Sequence, residues 1–323
     1  MIEYLKICRI DHWLKNIFIV FGHAVALVLY FDLEPDAGFF RNAFLSLIPV
    51  CLIASAYYIL NEILDAPYDA IHPLKRLRGI PAGKVKVPIL WGMMAGLMVV
   101  GFGMAWWLFP NHLYFFTLAV LMGFALLYNI PPIRLKDKAF LDVISESINN
   151  PLRLLLGWFA VVPADETRIP PISIILAWWF FGALLMTGKR YSEYRFIGDD
   201  ALSGKYRKSF KVYSEQRLIM AMITYACLFC FCTGIAMAVY PELHNLVLIF
   251  PMIMFAVIAY FSQAMKESSA RLEPEQLLKN PWIIASTIIT AVLALWLLYS
   301  YKYGWFDVKE YYNIVQNPWQ TRS

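Results

Sequence analysis

The sequence predicts an all-α integral membrane protein with nine transmembrane helices. Of its 323 residues, 60% are hydrophobic and 16% are charged, whereas soluble domains are about 45–50% apolar and about 25% charged. The mean hydropathy is +0.56. Apolar runs of the ~20 residues that cross ~30 Å of hydrocarbon as a helix recur along the whole chain. We therefore expect one polytopic membrane domain over residues 1–323, with no room for a large soluble domain.

The predicted spans alternate between two kinds of connection, one short and one longer and basic. The spans are residues 16–31, 43–63, 88–108, 112–129, 140–162, 172–189, 217–239, 245–264 and 282–301. The longer connections are residues 64–87, 130–139, 190–216 and 265–281.

Lysine and arginine concentrate in the N-terminal segment and in the longer connections, while the short connections carry only Arg41 and Arg168. Because positively charged loops stay on the cytoplasmic side of a membrane, the N-terminus and the longer connections are predicted to be cytoplasmic. Nine crossings then leave the C-terminus outside. The net charge of +5 is thus explained by topology and does not indicate nucleic-acid binding.

The first cluster of chemical interest lies in the stretch 61–86, NEILDAPYDAIHPLKRLRGIPAGKVK. Asn61, Asp65 and Asp69 recur every four residues, which forms one oblique stripe on a helix. Oxygen donors in this pattern suit Mg²⁺, which usually takes one or two carboxylates and fills its shell with phosphate and water. Pro67 leaves a second placement open, in which Asp69 lies in a turn beyond the helix.

Three bases follow the stripe, Lys75, Arg76 and Arg78, and such side chains hold phosphate oxygens. Acidic groups followed by bases at a membrane edge are typical of a site for a metal-bound diphosphate. The alternative is a solvated loop whose charges keep it out of lipid. Since the carboxylates are expected at the aqueous edge, we expect that removing Asp65 or Asp69 leaves no buried charge without a partner.

A second cluster of polar and charged residues lies in the segment LDVISESINNPLRLLLG, residues 141–157. Asp142, Glu146, Asn149 and Arg153 share one helical face, although Pro151 interrupts the hydrogen-bond ladder and predicts a kink. Ionisable residues inside a membrane segment are costly and usually face a cavity or a partner. The alternative is an ion pair of Asp142 or Glu146 with Arg153 that only ties the helix to its neighbours.

Further bases end the sixth predicted span in the sequence TGKRYSEYR, residues 187–195. Lys189, Arg190 and Tyr191 are candidate phosphate-binding groups there, and Lys15 with Asn16 forms a smaller feature of the same kind at the start of the first span. The alternative is attraction of the bases to anionic lipid, worth about 1 kcal/mol per residue.

These residues resemble the UbiA superfamily of membrane prenyltransferases. That resemblance implies a nine-helix bundle around a cytosol-facing cavity, with Mg²⁺ holding a diphosphate between two Asp-rich motifs. The first motif reads N-D-x-x-D-x-x-x-D in the family, where this chain has Glu62 in place of the first aspartate. The second reads D-x-x-x-D, where this chain has Glu146 in place of the second aspartate.

Five segments look like the decaprenyl-phosphate phosphoribosyltransferase branch of that superfamily, with Gly79 at a position where the branch has proline. The segments are HWLKN at 12–16, NEILDAPYDAIHPLKRLRGIPAG at 61–83, YNIPPIRLKDKAFLDV at 128–143, GKRYSE at 188–193 and EPEQLLKNPW at 273–282. The resemblance implies transfer of 5-phosphoribosyl from phosphoribosyl diphosphate to a polyprenyl phosphate, for cell-envelope synthesis at a bacterial inner membrane. Homo-oligomerisation stays open.

The resemblance assigns roles residue by residue. Catalytic roles fall to Asp65, Asp69 and Asp142, and the Mg²⁺ ligands are Asn61, Asp65, Asp69 and Asp142. Substrate binding falls to Asn61, Lys15, Asn16, Lys75, Arg76, Glu146, Arg153, Lys189, Arg190 and Tyr191.

Two other functions compete with this reading. An ordinary member of the superfamily would move a polyprenyl group from its diphosphate to an aromatic or other small acceptor. A transporter or scaffold would place acidic groups near the bilayer midplane on broken helices, and the predicted position of these carboxylates at one membrane edge argues against it.

Overall fold

A computed structural model describes residues 2–70, 75–77, 79–197, 208–265 and 281–309. All regular structure in these ranges is helical. The chain divides into two compact units. Unit 1 takes in the described residues of Met1–Tyr30, Glu34–Pro170 and Gly198–Ser214, and unit 2 those of Phe31–Leu33, Pro171–Ile197 and Glu215–Ser323.

Unit 1 contains seven α-helices and several short 3₁₀ segments. The helices are α1 Ile2–Ile7, α2 Phe18–Leu29, α3 Ala37–Asp69, α4 Val87–Leu108, α5 Leu113–Asn129, α6 Leu141–Ser147 and α7 Asn149–Val161. The 3₁₀ segments are Ile10–Ile17, Lys75–Leu77, Leu135–Asp137 and Lys208–Lys211.

Unit 2 contains four α-helices and one 3₁₀ segment, Pro241–Ile249. The helices are α8 Ile172–Ile197, α9 Glu215–Val239, α10 Phe250–Ala264 and α11 Pro281–Lys302. In this unit the Tyr260 hydroxyl donates to the Leu185 carbonyl at 2.8 Å. A Cβ on Gly188 would lie 2.3 Å from that hydroxyl, so Gly188 leaves room for the Tyr260 side chain where α10 approaches α8.

Seven helical stretches in the described residues are long and apolar enough to cross a membrane, which agrees with a multi-pass membrane protein. They are Glu3–Leu29, Ala37–Pro67, Val87–Leu108, Ile172–Phe196, Glu215–Val239, Pro241–Ala264 and Ile284–Lys302. The predicted span at 112–129 is the shorter apolar helix Leu113–Asn129, and the span at 140–162 is divided between α6 and α7. The count of nine therefore stays a prediction.

Helix α3 is longer than predicted at both ends. It begins after Asp36, whose carboxylate accepts the Phe39 amide at 2.6 Å and so caps the helix. At the other end it runs through Pro67 to Asp69. The placement of Asp69 in a turn is therefore wrong, and Asp65 and Asp69 lie one helical turn apart.

The break between α6 and α7 falls at Ile148, three residues before Pro151. Proline has no amide hydrogen to donate to the carbonyl four residues earlier, here that of Ser147. Local side chains also bond the backbone at the break, since Asn149 Nδ2 donates to the Glu146 carbonyl at 2.9 Å. The predicted kink is therefore a break between two helices, with Asp142 and Glu146 on α6 and Arg153 on α7.

Helices α2 and α7 approach each other through their backbones. A Cβ on Gly22 would lie 2.0 Å from the Leu154 carbonyl oxygen, and one on Gly157 would lie 2.2 Å from the Ile19 carbonyl oxygen. Such distances permit only glycine, as in other close contacts of membrane helices. This contact holds the N-terminal part of unit 1 against the helix that carries Arg153.

Candidate functional site

Asn61 and Asp65, one turn apart on α3, converge on a lysine that the sequence analysis did not single out. Lys136 Nζ lies 2.5 Å from Asp65 Oδ1 and 3.3 Å from Asn61 Oδ1. It also donates to Asn129 Oδ1 at the end of α5, at 2.7 Å. Its side chain is only 8% exposed. Three oxygen acceptors thus surround one buried cation.

The two carboxylate oxygens of Asp65 differ in their surroundings. Oδ1 accepts both from Lys136 and from Arg134 Nη2, the latter at 3.1 Å. Among the residues that the structure describes, Oδ2 has no hydrogen-bond partner, and the side chain is 23% exposed. One oxygen therefore anchors two bases while the other is accessible to a ligand.

This arrangement corrects one expectation. Asp65 was expected to be removable without leaving a buried charge, yet it is the partner of Arg134 and Lys136, whose side chains are 10% and 8% exposed. Breaking a buried pair leaves an uncompensated charge at a cost of roughly 3–5 kcal/mol. The carboxylate therefore contributes to stability as well as to the candidate site.

The connection between α5 and α6 contains a further carboxylate that lies between two bases. Asp137 Oδ2 lies 3.3 Å from Arg134 Nε and 3.6 Å from Lys208 Nζ. Arg134 and Phe140 both have positive φ, at 29° and 64°, a conformation that costs a non-glycine residue about 1–3 kcal/mol. Because such strain persists only where the surroundings enforce it, the connection is held in a defined shape beside Asp65.

The donor set around Asp65 is compatible with Mg²⁺ held jointly with a phosphorylated ligand. The described residues contain no group of three His, Cys, Asp or Glu side chains that could hold a metal by themselves. Asn61 and Asp65 nevertheless direct oxygens at one cationic group, the Lys136 ammonium. Magnesium commonly takes one or two protein carboxylates and fills its shell with phosphate and water, and these residues fit that role. Asp69, buried at 5% exposure, lies one turn further along α3.

The second acidic cluster binds hydroxyl groups. Asp142 is fully buried and accepts from the hydroxyls of Tyr213 and Ser209, the latter at 3.4 Å. Glu146 Oε2 accepts from the Tyr128 hydroxyl at 2.9 Å. Both carboxylates are thus tied to neighbouring elements of unit 1.

Arg153 is not the partner of either carboxylate. Its Nε donates to Asn16 Oδ1 at 3.1 Å and its Nη1 to the Asn149 carbonyl at 3.4 Å. The alternative of an ion pair between Arg153 and Asp142 or Glu146 is therefore wrong. Asn16, 1% exposed, links this guanidinium to α3 because its Nδ2 donates to Cys51 Sγ at 3.2 Å.

The third group of candidates lies on α8 in unit 2. Arg190 is 2% exposed and its Nη1 lies 3.2 Å from Glu193 Oε2, while Tyr191 is 3% exposed. Arg195 lies over the Tyr191 ring at 5.7 Å from its centroid. Lys189 is adjacent to this group and partly exposed.

The remaining candidates are placed only in part. Lys15 lies in the segment Ile10–Ile17 and Lys75 begins the turn Lys75–Leu77, but their side chains are outside the described structure. Arg76 is exposed. Residues 71–74 and 78, together with 273–280 of the last resembling segment, also lie outside the described residues.

Sequence reasoning missed Arg134, Lys136 and Tyr213 as site residues. Both bases belong to the longer connection at residues 130–139, which the sequence analysis uses only to assign the topology. One signal was available: they lie in a basic connection on the same predicted membrane side as both acidic clusters. Nothing in the local pattern indicates that Tyr213 reaches Asp142, because the two are 71 residues apart in sequence.

We expect Asp142→Asn to lower kcat strongly and Glu146→Gln to lower it less. Asp142 is fully buried and accepts from the Tyr213 and Ser209 hydroxyls, whereas Glu146 stands in place of the motif's second aspartate and is only partly buried. Steady-state kinetics with purified protein measure both effects. Tyr213→Phe is the control: if it reproduces the kcat loss and the thermal destabilisation of Asp142→Asn, the carboxylate acts only by holding residues 208–214.

A sequence profile of the UbiA prenyltransferase family matches residues 17–284 of this chain. A protein of Mycolicibacterium smegmatis called decaprenyl-phosphate phosphoribosyltransferase is 30% identical over 222 residues, which are 66% of this chain and 63% of that protein. The chain thus spans less than two thirds of that relative. A protein of the same name from Mycobacterium tuberculosis is 28% identical over 218 residues, 66% of this chain and 67% of the relative.

The fold has solved counterparts. The structure of a UbiA homolog from Archaeoglobus fulgidus bound to GPP and Mg²⁺ superposes with a TM-score of 0.66. The superposition covers 93% of this chain and 99% of that protein, at 17% sequence identity. At that identity the likeness establishes the fold alone.

Proposed function

The chain belongs to the UbiA prenyltransferase family, and we propose that it transfers 5-phosphoribosyl from phosphoribosyl diphosphate to a polyprenyl phosphate, with Mg²⁺ as cofactor. Sequence similarity to the mycobacterial phosphoribosyltransferases supports this donor. We further propose that the protein lies in a bacterial inner membrane, with its N-terminus and the longer connections in the cytoplasm and its C-terminus outside.

The observation that best supports a polyanionic donor is the convergence of bases on Asp65 and the nearby Asp137. Arg134 and Lys136 both contact Asp65, and Arg134 and Lys208 both contact Asp137. Charge-assisted hydrogen bonds to phosphate are about twice as strong as neutral ones. A diphosphate beside Asp65 would therefore lie close to several basic side chains that can donate to its oxygens.

The proposed reaction needs positioning and charge stabilisation more than proton transfer. The bond between ribose C1 and the diphosphate oxygen breaks, and an oxygen of the lipid phosphate forms the new bond to C1. Because this nucleophile is already an anion, no strong general base is required. Asn61, Asp65 and Asp69 would hold Mg²⁺, which neutralises charge on the diphosphate when bound. Lys136 and Arg134 would stabilise the same leaving group.

The runner-up is a prenyl transfer in which a polyprenyl diphosphate ionises and an aromatic or other small acceptor attacks. The same carboxylates and bases would serve that reaction, and only the donor differs. Purified protein incubated with polyprenyl phosphate and labelled phosphoribosyl diphosphate should yield a labelled lipid. Label transfer only from a prenyl diphosphate to a small aromatic acceptor would establish the rival instead.

We expect Arg190→Ala to lower kcat/KM for phosphoribosyl diphosphate by roughly ten- to a hundredfold, the range for losing one charged hydrogen bond. This donor carries a 5-phosphate that a prenyl diphosphate lacks, and we propose that Lys189, Arg190 and Tyr191 help to bind it. Steady-state kinetics at fixed polyprenyl phosphate measure the effect.

Glu193→Gln is the matched control, because it removes the same ion pair at 3.2 Å but leaves the guanidinium in place. If both variants lose activity equally, the pair only stabilises α8. A change of less than about twofold in Arg190→Ala would remove this cluster from the donor site.

A further inference from the structure

Arg153 is a charged side chain of unit 1, and its described hydrogen-bond partners are all neutral. It lies on α7 between Leu152 and Leu154, which are 7% and 0% exposed. Its hydrogen bonds go to the Asn16 carboxamide and the Asn149 carbonyl. Among the described residues no carboxylate lies within ion-pair distance of it. Since an unpaired charge in such a place is costly, the arrangement indicates an anionic ligand.

The unused hydrogens of the guanidinium suit a phosphate. Nε donates to Asn16, and Nη1 makes one long contact of 3.4 Å to the Asn149 carbonyl. Nη2 has no partner among the described residues. The edge formed by Nη1 and Nη2 can therefore offer the paired N–H groups with which arginine binds phosphate oxygens. The side chain is partly exposed, so a ligand can reach it.

Asn16 orients the Arg153 guanidinium without neutralising its charge. Its Oδ1 holds Arg153 Nε at 3.1 Å while its Nδ2 is anchored on Cys51 Sγ of α3 at 3.2 Å. One turn away on α3, Ser55 accepts from Trp13 Nε1 at 3.0 Å, so the segment carrying Asn16 is fixed at two points. An aspartate here would make a buried ion pair with Arg153 and neutralise it. The neutral carboxamide orients the guanidinium and preserves its charge.

We propose that Arg153 binds the phosphate monoester of the polyprenyl acceptor and that Asn16 is a positioning residue that keeps Arg153 oriented and uncompensated. This inference rests on the proposed function, because it identifies where the lipid substrate of that reaction places its head group.

The test is equilibrium binding, which requires no turnover. Purified protein in detergent is titrated with polyprenyl phosphate and with the uncharged polyprenol of equal length, and the ratio of the two affinities is the phosphate preference. Asn16→Asp should reduce this preference by roughly ten- to a hundredfold, because the new carboxylate would form an ion pair with Arg153 and neutralise its charge. Arg153→Gln should reduce it equally, whereas Arg153→Lys should retain part of it.

Asn16→Asp is suited to the test because both of its neighbours tolerate the change: Arg153 still donates to it, and the Cys51 thiol can donate in place of accepting. Its melting temperature should therefore stay at or above that of the wild type. Asn42→Asp is the matched control, since Asn42 also accepts from an arginine Nε, that of Arg41 at 3.2 Å, but at an exposed position. It should leave the phosphate preference unchanged.

Two outcomes would overturn the inference. In one, Asn16→Asp and Arg153→Gln fold but keep the wild-type phosphate preference. In the other, ribose 5-phosphate or inorganic phosphate binds the wild type in an Arg153-dependent manner while polyprenyl phosphate binding does not depend on Arg153. Neither outcome tests whether phosphoribosyl diphosphate is the donor substrate. Failure of the proposed function appears separately, as absence of label transfer from phosphoribosyl diphosphate in an enzyme that still prefers the phosphorylated lipid.

Discussion

Asp65→Asn is expected to lower kcat by at least about a hundredfold, as is chelation of Mg²⁺ by EDTA. The asparagine keeps an oxygen for Lys136 and Arg134 but removes the negative charge that a metal requires. Steady-state kinetics with and without added Mg²⁺ measure both effects. Equal activity in EDTA and in Mg²⁺ would exclude the metal role of Asp65 and its neighbours.

Stability and catalysis at Asp65 can be separated by a double substitution. Asp65→Ala alone should destabilise the protein by roughly 3 kcal/mol, because it leaves the buried Lys136 and Arg134 without their shared carboxylate. Adding Lys136→Met removes one of these two buried charges and should restore much of the thermal stability while activity stays lost. Recovery of activity in the double variant would mean that Asp65 acts only by holding Lys136.

Gly157→Leu is expected to prevent stable folding, with a loss above about 4 kcal/mol. A Cβ at this position would lie 2.2 Å from the Ile19 carbonyl oxygen and 2.9 Å from the Gly22 Cα. Both obstacles are backbone atoms, so relief requires α2 and α7 to separate. The yield of monodisperse protein in detergent and its melting temperature measure the loss.

Gly123→Ala on α5 is the control for this substitution, because a Cβ there would meet nothing within 4 Å. Alanine in a helix is favoured over glycine by about 0.5–1 kcal/mol, so this variant should be as stable as the wild type or slightly more so. If Gly157→Leu folds with a melting temperature near that of the wild type, the close contact of α2 and α7 is wrong.

The sequence predicted the helices of this protein well because each apolar run is a local signal whose length matches the bilayer. The stripe of Asn61, Asp65 and Asp69 was predictable for the same reason, since its four-residue spacing lies within one helix. The sequence left open whether α3 passes Pro67, because proline removes one ladder bond without preventing a long helix from continuing.

The partners of the candidate residues could not be predicted from spacing. Lys136 reaches Asp65 over 71 positions, and Arg153 reaches Asn16 over 137. Such contacts depend on how helices pack, and the pattern of a single helix carries no information on its partner. This explains why an ion pair of Arg153 with Glu146 was a reasonable alternative from the sequence and is absent in the fold.

The backbone contact between α2 and α7 has a consequence for how the protein is made. Helix α2 ends at Leu29 and α7 begins at Asn149, and at about 5–20 residues per second the ribosome needs on the order of ten seconds to synthesise the intervening chain. During that time α2 has left the ribosome while its partner does not yet exist. We expect α2 to lie in the lipid with Gly22 unpacked until α7 is inserted. The packing of unit 1 would then be completed only after α7 has entered the membrane.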